Sequence, residues 1–232
     1  MTVLIFLYHI LKFKHILKFK EASMTKKASV FNRKQFNPSE ENMFFGEDLG
    51  IARFDIQRYP VFEKINRRMT GFFWIPEEIS LTSDRDDFNG KLDDGEKHVF
   101  LSNLKYQILL DSVQGRAPTQ AFIPVCSLPE LEGAIETWAY FETIHSRSYT
   151  HIVRSVFDDA SEVFDNININ PEILKRAVSV TEAYEDFINS YNRYTYGNNP
   201  DGLTLRNLKE KLFDAIISVN ILESIRFFVS FA

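Results

Sequence analysis

A carboxylate inside the apolar stripe of an amphipathic helix is a costly placement, because a buried charge must find a cation or a proton. This sequence makes that placement repeatedly. Asp111 follows Leu104 and Ile108 at i, i+4 and i+7, in line with an apolar face. Glu223 stands in a stripe with Ile216, Val219, Phe227 and Phe231. Between them, Ile135, Trp138, Glu142, His145, Tyr149, Ile152 and Val156 alternate spacings of three and four, a core seam with a Glu, a His and a Tyr in its middle. A basic residue could neutralise these carboxylates, but Arg147, Arg154 and Arg226 lie off the stripes and would have to reach around their helices. A divalent metal is the better counter-charge. Helical carboxylates plus Glu-x-x-His form the ligand pattern of carboxylate-bridged di-iron and di-manganese sites in four-helix bundles. Oxygen-rich ligands with one imidazole per metal suit iron or manganese better than zinc. A lone Glu-x-x-His is common by chance, and Tyr149 alone reads as a packing residue. The coincidence of carboxylates on three stripes carries the metal reading, and beside an oxygen-activating metal pair Tyr149 becomes an oxidisable phenol.

The elements that must position these groups read as long helices. They run from about Asp94 to Val113, from Pro129 to Phe157, from Pro171 to Tyr194, and from Leu203 to Ala232, with the turn GNNPDG before the last. Ser127 and Glu130 are spaced as a capping box for the second. From Asn37 to about Asp94 the chain reads as irregular, with a short helical stretch at Pro60 to Met69 and a polar loop at TSDRDDFNG. The expected division is an N-terminal irregular segment over 24–93 and ligand-bearing helices over 94–232.

Composition agrees with an all-α protein. The 232 residues are 44% hydrophobic and 25% charged, which excludes a disordered or fibrous chain, and 9 Gly with 8 Pro leave little material for the turns of an all-β fold. A net charge of -5 argues against a nucleic-acid partner. The single cysteine, Cys126, cannot form an internal disulfide; it points to a reducing cytoplasm and, in the apolar stretch AFIPVCSLPE, to a packing role. Residues 1–23 contain HILKFK twice in tandem before Met24. They read as an extension upstream of the fold, with a basic amphipathic segment as the rival, and the apolar run TVLIFLYHIL is too short to span a membrane.

The segments MFFGEDLGIARFD, GFFWIPEEISL, EKHVFLSNLKYQILLDSVQGR, ETWAYFETIHSRSYTHI and SVNILESIRFFVSFA closely resemble the small (beta) subunit of class I ribonucleotide reductase, over essentially all of Met43 to Ala232. The resemblance implies a ferritin-like helical bundle holding two iron ions, with manganese as the other option. Asp111, Glu142 and His145 would bind the metal nearer the radical, Glu142 would bridge, and Glu223 would bind the second. Tyr149 would be oxidised to a stable neutral radical in a reaction that consumes dioxygen. Phe227 and Phe231 would wall it from water, Trp138 would support the ligands from behind, and Trp74 would lie on the transfer route to a separate large (alpha) subunit, where nucleotide reduction takes place. A homodimer is the usual assembly.

The family pattern also has a second Glu-x-x-His helix, an acidic partner for the His–Trp route and a C-terminal tail that docks on the large subunit. Of the five histidines, His9, His15, His98, His145 and His151, only His145 follows an acid at the third position before it, and the sequence stops at FVSFA. The expectation is therefore an N-terminal portion of a small subunit, from a split, interrupted or truncated gene, with a second polypeptide supplying the missing helix. The alternatives are a scaffold that pairs with an active small subunit, or a related ferritin-like oxidase.

Overall fold

The computed structural model describes residues 30–35, 37–197 and 199–230. The HILKFK repeat and Phe231 lie outside the described residues. Helices form the whole framework of the described residues, as composition implied, and the extended contacts reduce to one isolated antiparallel bridge between Phe44 and Cys126. In chain order the helices are α1 (Pro60–Thr70), α2 (Thr82–Gly90), α3 (Asp94–Gln114), α4 (Ala117–Ala121), α5 (Pro129–Val156), α6 (Ala160–Phe164), α7 (Pro171–Tyr196), α8 (Leu205–Ile221) and α9 (Phe227–Ser230). None is long and apolar enough to cross a membrane.

Each long helix starts where its local chemistry dictates. Asp93 caps α3 in a full capping box with Glu96, so the orphan N–H groups of the first turn are satisfied. Asn170 caps α7, with Pro171 at its first position, and Thr204 with Asn207 caps α8. The box expected at Ser127 and Glu130 does not form. Pro129 sets the helix start, which makes Leu128 the N-cap and leaves Ser127 one residue too early. Both side chains are instead turned to the segment before α1: Ser127 Oγ accepts from the Gly46 N–H at 2.7 Å, and Glu130 Oε1 accepts from the Tyr59 N–H at 3.0 Å. A Cβ on Gly46 would come within 2.9 Å of Ser127 Oγ, so this approach requires glycine.

Two further expectations are corrected. TSDRDDFNG is helix α2, not a loop. It buries none of its residues, so no apolar period could announce it, and its anchor is Phe88, packed on Phe157 and Phe100 at ring separations of 4.9 and 5.7 Å. The last helix is not continuous either. After Ile221 the chain widens into a π turn over Leu222–Arg226 before α9 resumes.

The main core fills the space between α1, α3, α5, α7 and α8. Phe62, Leu110, Phe122, Ile135, Trp138 and Phe187 are fully enclosed in it. The face of α7 that meets this core, Ala177, Val180, Tyr184, Phe187 and Tyr191, alternates spacings of three and four, as bundle packing demands. A smaller cluster of Leu104, Tyr149, Val153 and Val163 forms where α3, α5 and α6 meet. Cys126 is buried, as its surroundings implied, and burial pushes its thiol up, away from the reactive thiolate.

Candidate metal centre

Helices α3 and α5 cross so that the seams read from sequence face one another. Asp111 and Glu142 are 2% and 1% exposed, and both reach His145. The His145 Nδ1 lies 2.8 Å from Glu142 Oε2 and 3.7 Å from Asp111 Oδ2. One ligand atom from each of Asp111, Glu142 and His145 falls within a 4.8 Å group. Glu142 is fixed from behind, because Trp138, one turn earlier on α5, donates its indole N–H to Glu142 Oε1 at 2.7 Å.

Tyr149, 8% exposed, adds a phenol to the group: its O–H donates to Asp111 Oδ2. Leu104, Val153 and Val163 pack around it, with Ile108 and Ile152 at the edge. Val153 and Ile152 follow Tyr149 at i+4 and i+3 and extend a legible seam, but Val163 comes from the short α6, which nothing in the sequence marked. Phe227 is buried, yet its apolar neighbours belong to the main core, where it meets Tyr106 edge-on at 6.3 Å. Phe227 and Tyr149 thus sit in different apolar clusters.

Glu223 stands apart from the three-ligand group, on the π turn, but close enough to interact with it electrostatically. Its Oε1 accepts a hydrogen bond from Gln114 Nε2 at 2.9 Å, and Gln114 Oε1 accepts from the Tyr184 hydroxyl at 3.1 Å. Sequence reasoning missed Gln114 and Tyr184. The signal was present at Gln114, because Leu104, Gln107, Asp111 and Gln114 share the buried face of α3 at i, i+3, i+7 and i+10.

On the opposite side, Trp74 lies over the His145 ring, 5.6 Å between centroids and tilted by 36°. It is half-buried, between exposed Phe73 and Ile75, so it links the ligand group to the surface.

The electrostatics call for a cation. Burial, then the charge of Glu142, pushes Asp111 up to about 7. The same two causes, in the same order, push Glu223 up to about 8 against the Gln114 hydrogen bond. Burial works against a charged His145, but the hydrogen bond and charge of Glu142 outweigh it and hold the imidazole up to about 9. Burial and the neighbouring Asp111 raise the Tyr149 phenol above its ordinary value. No arginine answers the carboxylates: Arg226 bonds to the Arg176 carbonyl and Ser179, Arg147 faces Glu77, and Arg154 is exposed. Asp111 Oδ1 is buried with no hydrogen-bond partner among the described residues. An unsatisfied carboxylate oxygen inside an Asp, Glu and His group fits a divalent metal, which would stabilise all three groups in their deprotonated state.

Comparison with known proteins agrees. The chain is 49% identical over 212 residues to the ribonucleoside-diphosphate reductase subunit beta of Haemophilus influenzae, a match covering 88% of this chain and 56% of that one. The chain thus spans little more than half the length of this curated relative. It superposes on the ribonucleotide reductase R2 subunit from Clostridium botulinum with a TM-score of 0.73 and 27% identity, over 90% of this chain and 61% of that one. Streptococcus sanguinis dimanganese(II)-NrdF shares the fold, with a TM-score of 0.55 and 21% identity over 73% of this chain and 66% of that one. The bundle is thus of the ferritin-like kind. The profile of the family described as ribonucleotide reductase, small chain, matches residues 53–232, and the chain belongs to that family.

Proposed function

We propose that this chain performs the small-subunit task of ribonucleoside-diphosphate reductase, an oxidoreductase of deoxyribonucleotide synthesis: it holds a two-metal centre and keeps an oxidising equivalent on Tyr149 for a large subunit. The observation that carries the reading is the Tyr149 hydroxyl donating to Asp111 inside the ligand group. A phenol in that position argues against a related ferritin-like oxidase.

When bound, two iron or manganese ions with dioxygen supply the oxidant. Asp111, Glu142 and His145 would hold one metal, and Glu142 with Glu223 would hold the second. Tyr149 gives up one electron, and its hydroxyl proton moves along the existing hydrogen bond to Asp111. Leu104, Val153 and Val163 exclude water and reductants from the phenol. Trp138 restrains Glu142, and Trp74, lying on His145, is the outlet toward the large subunit. The second metal needs more ligands than Glu142 and Glu223, and a second Glu-x-x-His helix would supply them. A homodimer in a reducing cytoplasm completes the reading.

The test is electron paramagnetic resonance after aerobic Fe(II) addition, with a polypeptide bearing the second Glu-x-x-His helix present. A neutral tyrosyl radical that disappears in Tyr149→Phe is expected. A radical that persists in that variant, or none in the wild-type mixture, overturns the assignment.

A further inference from the structure

Of the four ligand candidates, Asp111, Glu142 and His145 project from regular α-helix, whereas Glu223 projects from the π turn over Leu222–Arg226. A π turn carries an extra residue and breaks the regular ladder, so the backbone alone fixes such a side chain less firmly. Something else must hold it. The side chain found there is Gln114, fully enclosed between α3, α7 and the π turn, with both ends of its amide engaged.

The arrangement has a direction. Tyr184, 2% exposed and packed on Phe122 at 5.6 Å, donates its O–H to the carbonyl end of the Gln114 amide. That bond turns the amide nitrogen toward Glu223, where it donates to Oε1. An amide turned the other way would set oxygen against carboxylate oxygen and leave the Tyr184 hydroxyl facing N–H, so burial makes the observed orientation the favourable one. With Oε1 engaged, Oε2 is the oxygen with its full capacity for a metal.

We infer that Gln114, oriented by Tyr184, is a positioning residue that presents Glu223 to a metal through one chosen oxygen. The inference rests on the metal centre proposed above and adds residues from outside its ligand set. Removal of a group that orients a metal ligand commonly costs ~10–100-fold in affinity.

The experiment is Co(II) titration of the metal-free chain with a polypeptide bearing the second Glu-x-x-His helix present, so that both metal sites are complete, followed by calorimetry and by the visible absorption of the bound ions, which reports their coordination. Gln114→Met keeps the volume and removes the donor, and an affinity loss of about tenfold with a changed spectrum is expected. Tyr184→Phe removes only the hydroxyl and should give a smaller change in the same direction, with its fold checked by circular dichroism. In a Glu223→Ala background the effect of Gln114→Met should vanish, because the amide acts through that carboxylate. Wild-type affinity and spectrum in Gln114→Met, or an equal loss with and without Glu223, would overturn the inference while the metal centre stands. A wild-type chain that binds no Co(II) would overturn the metal centre, and this inference with it.

Discussion

The two halves of the candidate centre are built in different ways. The half around Tyr149 draws Glu142, His145 and Tyr149 from one unbroken helix at i, i+3 and i+7, and Asp111 from a second helix with a capping box. The half around Glu223 depends on a π turn and on a relay in which Tyr184 and Gln114 are 70 residues apart and Gln114 and Glu223 are 109 apart. Local periodicity positions the first half, and long-range packing positions the second. Damage to the core behind α5 should therefore fall on the first half, and loss of one amide or hydroxyl on the second.

The largest stability effect should come from Trp138, whose fully enclosed side chain supports Glu142. Trp138→Ala should cost about 3–5 kcal/mol in chemical denaturation. Trp138→Phe, which keeps most of the volume and loses the N–H, should cost roughly 1–3 kcal/mol and weaken metal binding. Leu104→Ala, in the small cluster around Tyr149, should cost about 2–5 kcal/mol, and in the completed assembly shorten the lifetime of the radical without changing metal content. A variant that loses metal as readily as radical would show that the two apolar clusters are not independent.

A pH series sharpens the contrast between metal-free and metal-bound states. Asp111, Glu223 and His145 are all raised, to about 7, 8 and 9, so each stabilises the metal-free fold at low pH and loses that contribution as pH rises through its folded value. The metal-free Tm should fall between about pH 6 and about pH 9. A metal that displaces these protons should stabilise the chain increasingly over the same range. A metal-free Tm that rises across this interval would contradict the charge assignment.

The smallest effects belong to the helix caps. Asp93→Ala, at the start of α3, and Thr204→Ala, at the start of α8, should each cost ~1 kcal/mol in thermal unfolding. Neither should alter metal affinity, since both caps lie well over a turn from the ligands.

The same division explains what the sequence revealed. The seam from Ile135 to Val156 and the stripe at Asp111 were legible because helical periodicity alone places them. The Tyr184 and Gln114 relay was not, because a buried tyrosine on α7 looks the same whether its hydroxyl meets a backbone carbonyl or a glutamine. Helix α2 escaped notice because it buries no residue, and the π turn because widening by one residue leaves the apolar pattern nearly intact. Ser127 and Glu130 match the spacing of a capping box, but Pro129 moved the start of the helix and released both to bind the N-terminal segment.

The central claim, that Asp111, Glu142 and His145 form a metal site next to Tyr149, is tested most directly by Mn(II) titration of the purified chain, with free ion counted by electron paramagnetic resonance. The account predicts binding in the wild type and in Tyr149→Phe, with loss of binding in His145→Ala and Glu142→Ala. Equal Mn(II) uptake by wild type, His145→Ala and Glu142→Ala would contradict it.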